Sequence, residues 1–186
     1  MKIAVLNKKG GVGKTPISFS LAKDLDLDLQ SNDKSVIEFI YKDRAKILAK
    51  PFLADNTVYD FGGFVDAGIV DIIKGVDAVI VPCSVDYNSI LRTIETIEEI
   101  QHYNNKILVV ITKTEKESDF HSVMEQINEL VENLFFLELR NSKIFKNSIE
   151  TGLSVTELYN ETPLSRSAYK TVFQQYNAIL DSFKTV

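Results

Sequence analysis

Residues 2–15, Lys-Ile-Ala-Val-Leu-Asn-Lys-Lys-Gly-Gly-Val-Gly-Lys-Thr, constrain what this chain can fold into more than any other stretch. Residues 3–6 are a continuous apolar run, the pattern of a strand buried on both faces. The run breaks into a turn of Gly10, Gly11, Val12 and Gly13, and Lys14, Thr15 and Pro16 open a helix that continues over 17–24. Glycines admit positive φ and close backbone approach, so successive N–H groups can converge on one anion. The positive end of the following helix points at the same place. In such a cradle Lys14 reaches the β/γ-phosphates of a nucleotide and the Thr15 hydroxyl holds Mg²⁺. Pro16 fits early in a helix, where its missing N–H costs nothing.

The common phosphate-loop pattern is G-x-x-x-x-G-K-[ST], and Lys8 stands where its first glycine would be. Lys9-Gly10-Gly11-Val12-Gly13-Lys14-Thr15 instead resembles the deviant Walker A box, K-G-G-x-G-K-[ST], of the ParA/MinD family of ATPases, and the short ParA partitioning proteins above all. The resemblance implies that ATP or ADP binds with Mg²⁺, and that Lys9 reaches across a homodimer interface to the phosphates held by the partner subunit.

Beyond the loop, strand and helix signals alternate along the chain. This predicts an α/β fold, a single P-loop NTPase domain over residues 1–186 with a mostly parallel twisted sheet and helices on both faces. Strict alternation over 25–33 suggests a strand with one solvated face. The apolar spacing over 36–41 suggests a short helix, followed by a basic stretch at 42–50 that reads as helix end and loop. Residues 57–60 read as a strand closing on Phe61-Gly62-Gly63, and 64–75 as a helix. Asp60 at that strand's carboxyl end can hold a water on Mg²⁺, with Gly62 or Gly63 close to the γ-phosphate. Residues 78–82 read as a buried strand ended by proline, 89–100 as an amphipathic helix, and 106–112 as the next buried strand. A helix stripe over 120–134, a last strand at 134–139 and a closing helix over 164–183 complete the pattern. Residues 139–155 align without gaps to the segment I-P-R-x-x-x-(L/F)-x-x-A-x-x-x-G-x-x-V of the ParA-like family, with which they share Phe145, Gly152 and Val155. By the same resemblance Thr112 and Lys113 occupy the place where relatives carry an asparagine that reads the adenine edge.

Composition excludes several functions. The net charge of −5 does not advertise nucleic-acid binding, so any basic patch is local. The single Cys83 rules out an internal disulfide and cannot ligate the iron–sulfur cluster of nitrogenase-type relatives. His102 and His121 have no metal-ligand spacing. The chain opens on a strand and holds no apolar run near 18 residues, which predicts a cytoplasmic protein with no spanning helix.

The second strand leaves one question open. The ParA-like family carries Asp-x-Asp there, whose carboxylates orient the attacking water and help hold Mg²⁺. Asp26 and Asp28 match by letter but leave about ten residues after Thr15, too few for a helix, loop and strand. The alternative sets Ser31, Asn32 and Asp33 at the strand end with Asp26 and Asp28 on the exposed face, and spacing favours it. With the resemblance this gives an expected catalytic set of Lys9, Lys14, Asp33 and Asp60, with Thr15 and Asp60 on the metal. Hydrolysis is expected to be slow if Asn32 stands in the catalytic aspartate's place, because an amide cannot accept the water's proton.

The resemblance implies a partitioning ATPase whose ATP-bound dimer binds DNA non-specifically on the nucleoid. Lys143, Lys146, Arg166 and Lys170 are the candidate contacts, and a ParB-like centromere-binding partner would stimulate hydrolysis. Two other classes share the fold: a MinD-like membrane-surface switch and a ligase of the dethiobiotin-synthetase type. The residues near 181–186 lack the basic amphipathic tail that membrane binding needs.

Overall fold

The computed structural model describes residues 1–63 and 67–184. Its strands are β1 (Lys2–Asn7), β2 (Asp28–Ser31), β3 (Ala45–Ile47), β4 (Thr57–Gly62), β5 (Ala78–Ser84), β6 (Ile107–Thr114) and β7 (Phe135–Arg140). They form one seven-stranded sheet in the order β3-β2-β4-β1-β5-β6-β7, and every ladder is parallel. The helices are α1 (Lys14–Asp24), α2 (Ile37–Ile40), α3 (Ala67–Gly75), α4 (Tyr87–Ile100), α5 (Glu117–Asn128), α6 (Ile144–Thr151), α7 (Val155–Glu161), α8 (Pro163–Ala168) and α9 (Lys170–Lys184). This is the P-loop NTPase-like α/β arrangement that the sequence pattern predicts.

The period-2 geometry of a strand explains why the sheet has two apolar layers. Ile3 and Val5 of β1 enter one layer with Ile17, Leu21, Ile144, Val155, Tyr176 and Ile179, so α1, α6, α7 and α9 cover that face. Ala4 and Leu6 enter the other with Ile73, Ile94, Ile97 and Ile127, from α3, α4 and α5. β1 is thus buried on both sides, which is why its sequence reads as an unbroken apolar run.

Several boundaries differ from the sequence reading. The alternation over 25–33 is not a half-solvated strand. Residues 25–27 turn, with Asp26 at φ 55, and β2 is buried from Leu29 to Ser31 because β3 and β4 flank it. β3 lies inside the basic stretch taken for loop. It is an edge strand of three residues, and its exposed Lys46 hides the pattern. α2 is a single turn. Pro82 does not end β5. The β1–β5 ladder stops at Val5 and Ile80, and the Pro82 carbonyl accepts a hydrogen bond from Asn7 Nδ2 at 2.8 Å, so no ladder partner is lost. The helix over 120–134 spans only Glu117–Asn128, and the closing helix is two, α8 and α9, divided at Tyr169. The predicted helix at 64–75 is present from Ala67; residues 64–66 lie outside the described part.

Candidate nucleotide-binding site

The carboxyl ends of β1, β2, β4 and β6 meet at one edge of the sheet, where open parallel sheets bind ligands. β1 ends at Asn7, and its side chain starts the loop. Asn7 Nδ2 bonds the Thr93 hydroxyl at 2.7 Å, while its Oδ1 accepts the Lys9 N–H at 2.8 Å. Gly11 and Gly13 take φ 78 and 96, values that L side chains rarely adopt, so the turn requires glycine there. Gly13 is the N-cap of α1 and offers no side chain, which leaves the first-turn N–H groups open toward the cleft.

The two adjacent lysines before the glycines have different surroundings. Lys8 Nζ pairs with Glu99 of α4 at 2.8 Å, and its N–H bonds the Thr96 hydroxyl. The Lys9 ammonium has no hydrogen bond or ion pair among the described residues. Its charge acts on Asp86, the N-cap of α4, whose carboxyl is held below the usual range by the Ser84 hydroxyl first, then the Ser89 amide and Lys9. Lys14 folds back over the loop and donates to the Lys9 carbonyl at 2.9 Å. Burial pushes the Lys14 ammonium down, against the opposing charges of Asp60 and Asp33.

Asp60 is 1% exposed. Its carboxylate accepts the Thr15 hydroxyl at 2.8 Å and the Ser18 hydroxyl at 3.2 Å. Burial raises its pKa, against the Thr15 and Ser18 hydroxyls and the Lys14 charge, with Asp33 adding to the rise. The donor set of one hydroxyl and one carboxylate fits Mg²⁺, which takes few protein ligands when phosphates and waters complete its shell. Thr15 and Asp60 are the residues that would hold it.

The second-strand question resolves in geometry. β2 ends at Ser31, opposite Asp60, and the Ser31 hydroxyl donates to the Asp60 carbonyl at 2.9 Å. Asn32 Oδ1 accepts the Gly62 N–H at 2.8 Å, so Asn32 braces β2 against β4. The carboxylate lining the cleft is that of Asp33. A Cβ on Gly62 would stand 2.7 Å from Asp33 Oδ2, so glycine at 62 makes room for it. Asp26 and Asp28 lie outside the cleft, clamped by Arg44 at 2.6 Å each.

A cleft of ≈ 580 Å³ runs from the loop, residues 10–17, past Asp33, Thr112 and Lys113 to a wall at 139–150. The Thr112 hydroxyl donates to the Val12 carbonyl at 3.0 Å, and Lys113 Nζ to the Gly11 carbonyl at 2.8 Å. Both side chains are therefore tied to the loop rather than presented as a free base-reading amide. Phe145 and Ile149, one turn apart on α6, give the wall an apolar face. Sequence reasoning missed them, with Ser18, Ser31 and the Asn32 brace. The spacing of 145 and 149 was a signal, but it reads equally as core.

Because the folded-state pKa of Asp60 is raised, its carboxyl contributes stability below the ordinary value of 3.8. That contribution is lost as pH rises through the raised value. Asp60→Asn should therefore raise the melting temperature of the nucleotide-free protein at pH 7. The gain should vanish by about pH 4. The same variant should lose the Mg²⁺-dependent part of nucleotide affinity. Thermal melts across pH check this, and a variant less stable than the parent at pH 7 would contradict it.

Comparison with known proteins agrees with this fold. No curated protein matches the sequence. Among solved structures, McdA from Cyanothece in its apo form superposes with TM-score 0.68 at 14% identity, over 92% of this chain and 98% of that one. A plasmid partition protein from Borrelia burgdorferi bound to AMPPNP gives 0.66 at 15% identity, over 100% and 99%. The septum site-determining protein MinD from Pyrococcus horikoshii, complexed with Mg-ADP, gives 0.65 at 10% identity, over 90% and 92%. The model of the CobQ/CobB/MinD/ParA nucleotide-binding domain matches residues 3–155, and the chain belongs to that family.

Proposed function

We propose that this chain is an ATPase of the ParA type, a nucleotide-dependent dimerising switch acting in DNA partition. The observation that carries the reading is the contrast between the two lysines: Lys8 is held in cis by Glu99, while Lys9 beside it has no ion-pair partner among the described residues. Exposed apolar side chains, Val85, Tyr87 and Leu91, flank Asp86 on the same rim, and a second copy of the chain would cover them. Bound ATP–Mg²⁺ supplies the phosphoryl group and the charge that neutralises it during transfer. In this assignment Lys14 and the amides of residues 11–15 hold the subunit's own phosphates. Asp33 orients a water and accepts its proton, and Asp60 fixes the Thr15 hydroxyl. Residues 1–186 act as one ATPase domain.

Partition requires DNA contact, and Lys143, Lys146, Arg166 and Lys170 are exposed on the α6–α9 side. Lys146 also pairs with Glu150 at 3.4 Å at the cleft wall, which leaves Lys143, Arg166 and Lys170 as the stronger contacts. The likeness to MinD keeps a membrane-surface role as the competing outcome, although no helix among the described residues is long and apolar enough to cross a membrane. Co-sedimentation with random DNA and with anionic liposomes separates the two. The expected result is DNA binding only with ATP, weakening about a hundredfold or more between about 50 and 200 mM salt through counterion release. Liposome binding without DNA binding would move the assignment to the membrane class. Binding to neither would favour a metabolic ligase.

A further inference from the structure

Pro16 and Lys113 together indicate a substitution within the phosphate site. Pro16 is the third residue of α1. A proline there leaves the helix intact but deletes one of the first-turn N–H groups that a helix N-terminus offers to an anion. The sequence reading, in which the missing N–H costs nothing, holds for the helix and fails for the site.

Lys14, Lys113, Arg140 and Lys146 are the cations that line the same cleft among the described residues. Lys14 already has its own place on the phosphates in the assignment above. Arg140 is held by the Glu115 carbonyl at 2.8 Å, and Lys146 is paired with Glu150. Lys113 remains. It is exposed, pairs with no carboxylate among the described residues, and rests its ammonium on the Gly11 carbonyl.

Its backbone is built for that position. Thr112 faces Leu139 and Thr114 faces Arg140, so Lys113 is the extra residue of a bulge in the β6–β7 ladder. It takes φ 61, a left-handed conformation unfavourable for lysine. Bulges re-aim side chains beside functional sites, and this one turns a lysine from the ladder onto the phosphate loop.

We infer that Lys113 is a phosphate ligand in cis, its ammonium replacing the donor that Pro16 removes at the first turn of α1. The inference rests on the nucleotide-binding reading above and moves Lys113 from the adenine edge, where the resemblance set it, to the phosphates. On binding, the ammonium exchanges the Gly11 carbonyl for a phosphate oxygen, a stronger partner because it is charged.

Lys113→Met keeps the chain length and the Cβ while removing the charge, and Pro16→Ala restores one N–H with nothing else added. Calorimetric titration with ADP should show Lys113→Met weakened about tenfold. Pro16→Ala alone should bind within about threefold of the parent, and the double variant should recover most of the loss. Lys113→Met within twofold of the parent, or a loss that Pro16→Ala does not repair, would overturn the inference; the latter would assign Lys113 to bracing the loop. A parent protein that binds no ADP would overturn the nucleotide reading itself, a separate failure visible in the first titration.

Discussion

Lys9→Ala should lower ATP turnover by about 10³-fold or more while leaving the monomer's affinity for ATP within about tenfold, roughly 1.4 kcal/mol. The split follows from where the residue sits. The Lys9 N–H and carbonyl are both used inside its own loop, by Asn7 and Lys14, and alanine preserves them. Only the ammonium is removed, and it has no hydrogen bond or ion pair among the described residues, acting within its own subunit only through its charge on Asp86. A long side chain at a rim extends outward easily. A cation arriving from a second subunit opposes the charge that grows on phosphate oxygens during transfer, so its loss appears in the rate and not in ground-state binding. Lys8→Ala is the control. It removes a largely buried pair with Glu99 and leaves a buried carboxylate oxygen unpaired, which costs about 1–3 kcal/mol of stability, but it should leave the turnover of the folded protein near that of the parent. Steady-state phosphate release measures both variants, and equal losses at the two positions would contradict the assignment.

Lys14→Ala should abolish useful nucleotide binding, a loss of about a hundredfold or more, roughly 2.7 kcal/mol. The Lys14 ammonium is partly buried against Asp60 and Asp33, and its lowered pKa shows that these two carboxylates do not fully compensate its desolvation. Phosphate oxygens would supply the missing counter-charge as charge-assisted hydrogen bonds. Removing the lysine also leaves Mg²⁺ as the one cation between the Asp60 and Asp33 carboxylates and the phosphates. Calorimetric titration with ATP checks the prediction, and affinity close to that of the parent would remove the phosphates from this loop.

The legible part of the molecule is the part whose cause is local. The apolar run of β1, the glycines at 10, 11 and 13, and Asp60 followed by Gly62 each carry their reason within a few residues. β3 was not legible, because a three-residue edge strand buries too little to imprint a pattern. Nor was the passage of β5 through Pro82, which depends on the β1–β5 ladder ending two residues earlier and on Asn7 filling the gap. The choice between Asp28 and Asp33 was readable from chain length alone. That Asn32 serves as a brace was not, since its partner Gly62 is 30 residues away. The wall at Phe145 and Ile149 and the tethering of Lys113 to Gly11 likewise depend on contacts across the sheet, which no window of sequence contains.

The central claim is that nucleotide makes two copies of this chain into one composite site through Lys9. Sedimentation velocity with a non-hydrolysable ATP analogue and Mg²⁺ tests it most directly. The expected result is a dimer with the analogue, a monomer with ADP or no nucleotide, and a monomer under all conditions for Lys9→Ala. A Lys9→Ala protein that dimerises with the analogue as the parent does, or a parent that stays monomeric with it, would contradict the account.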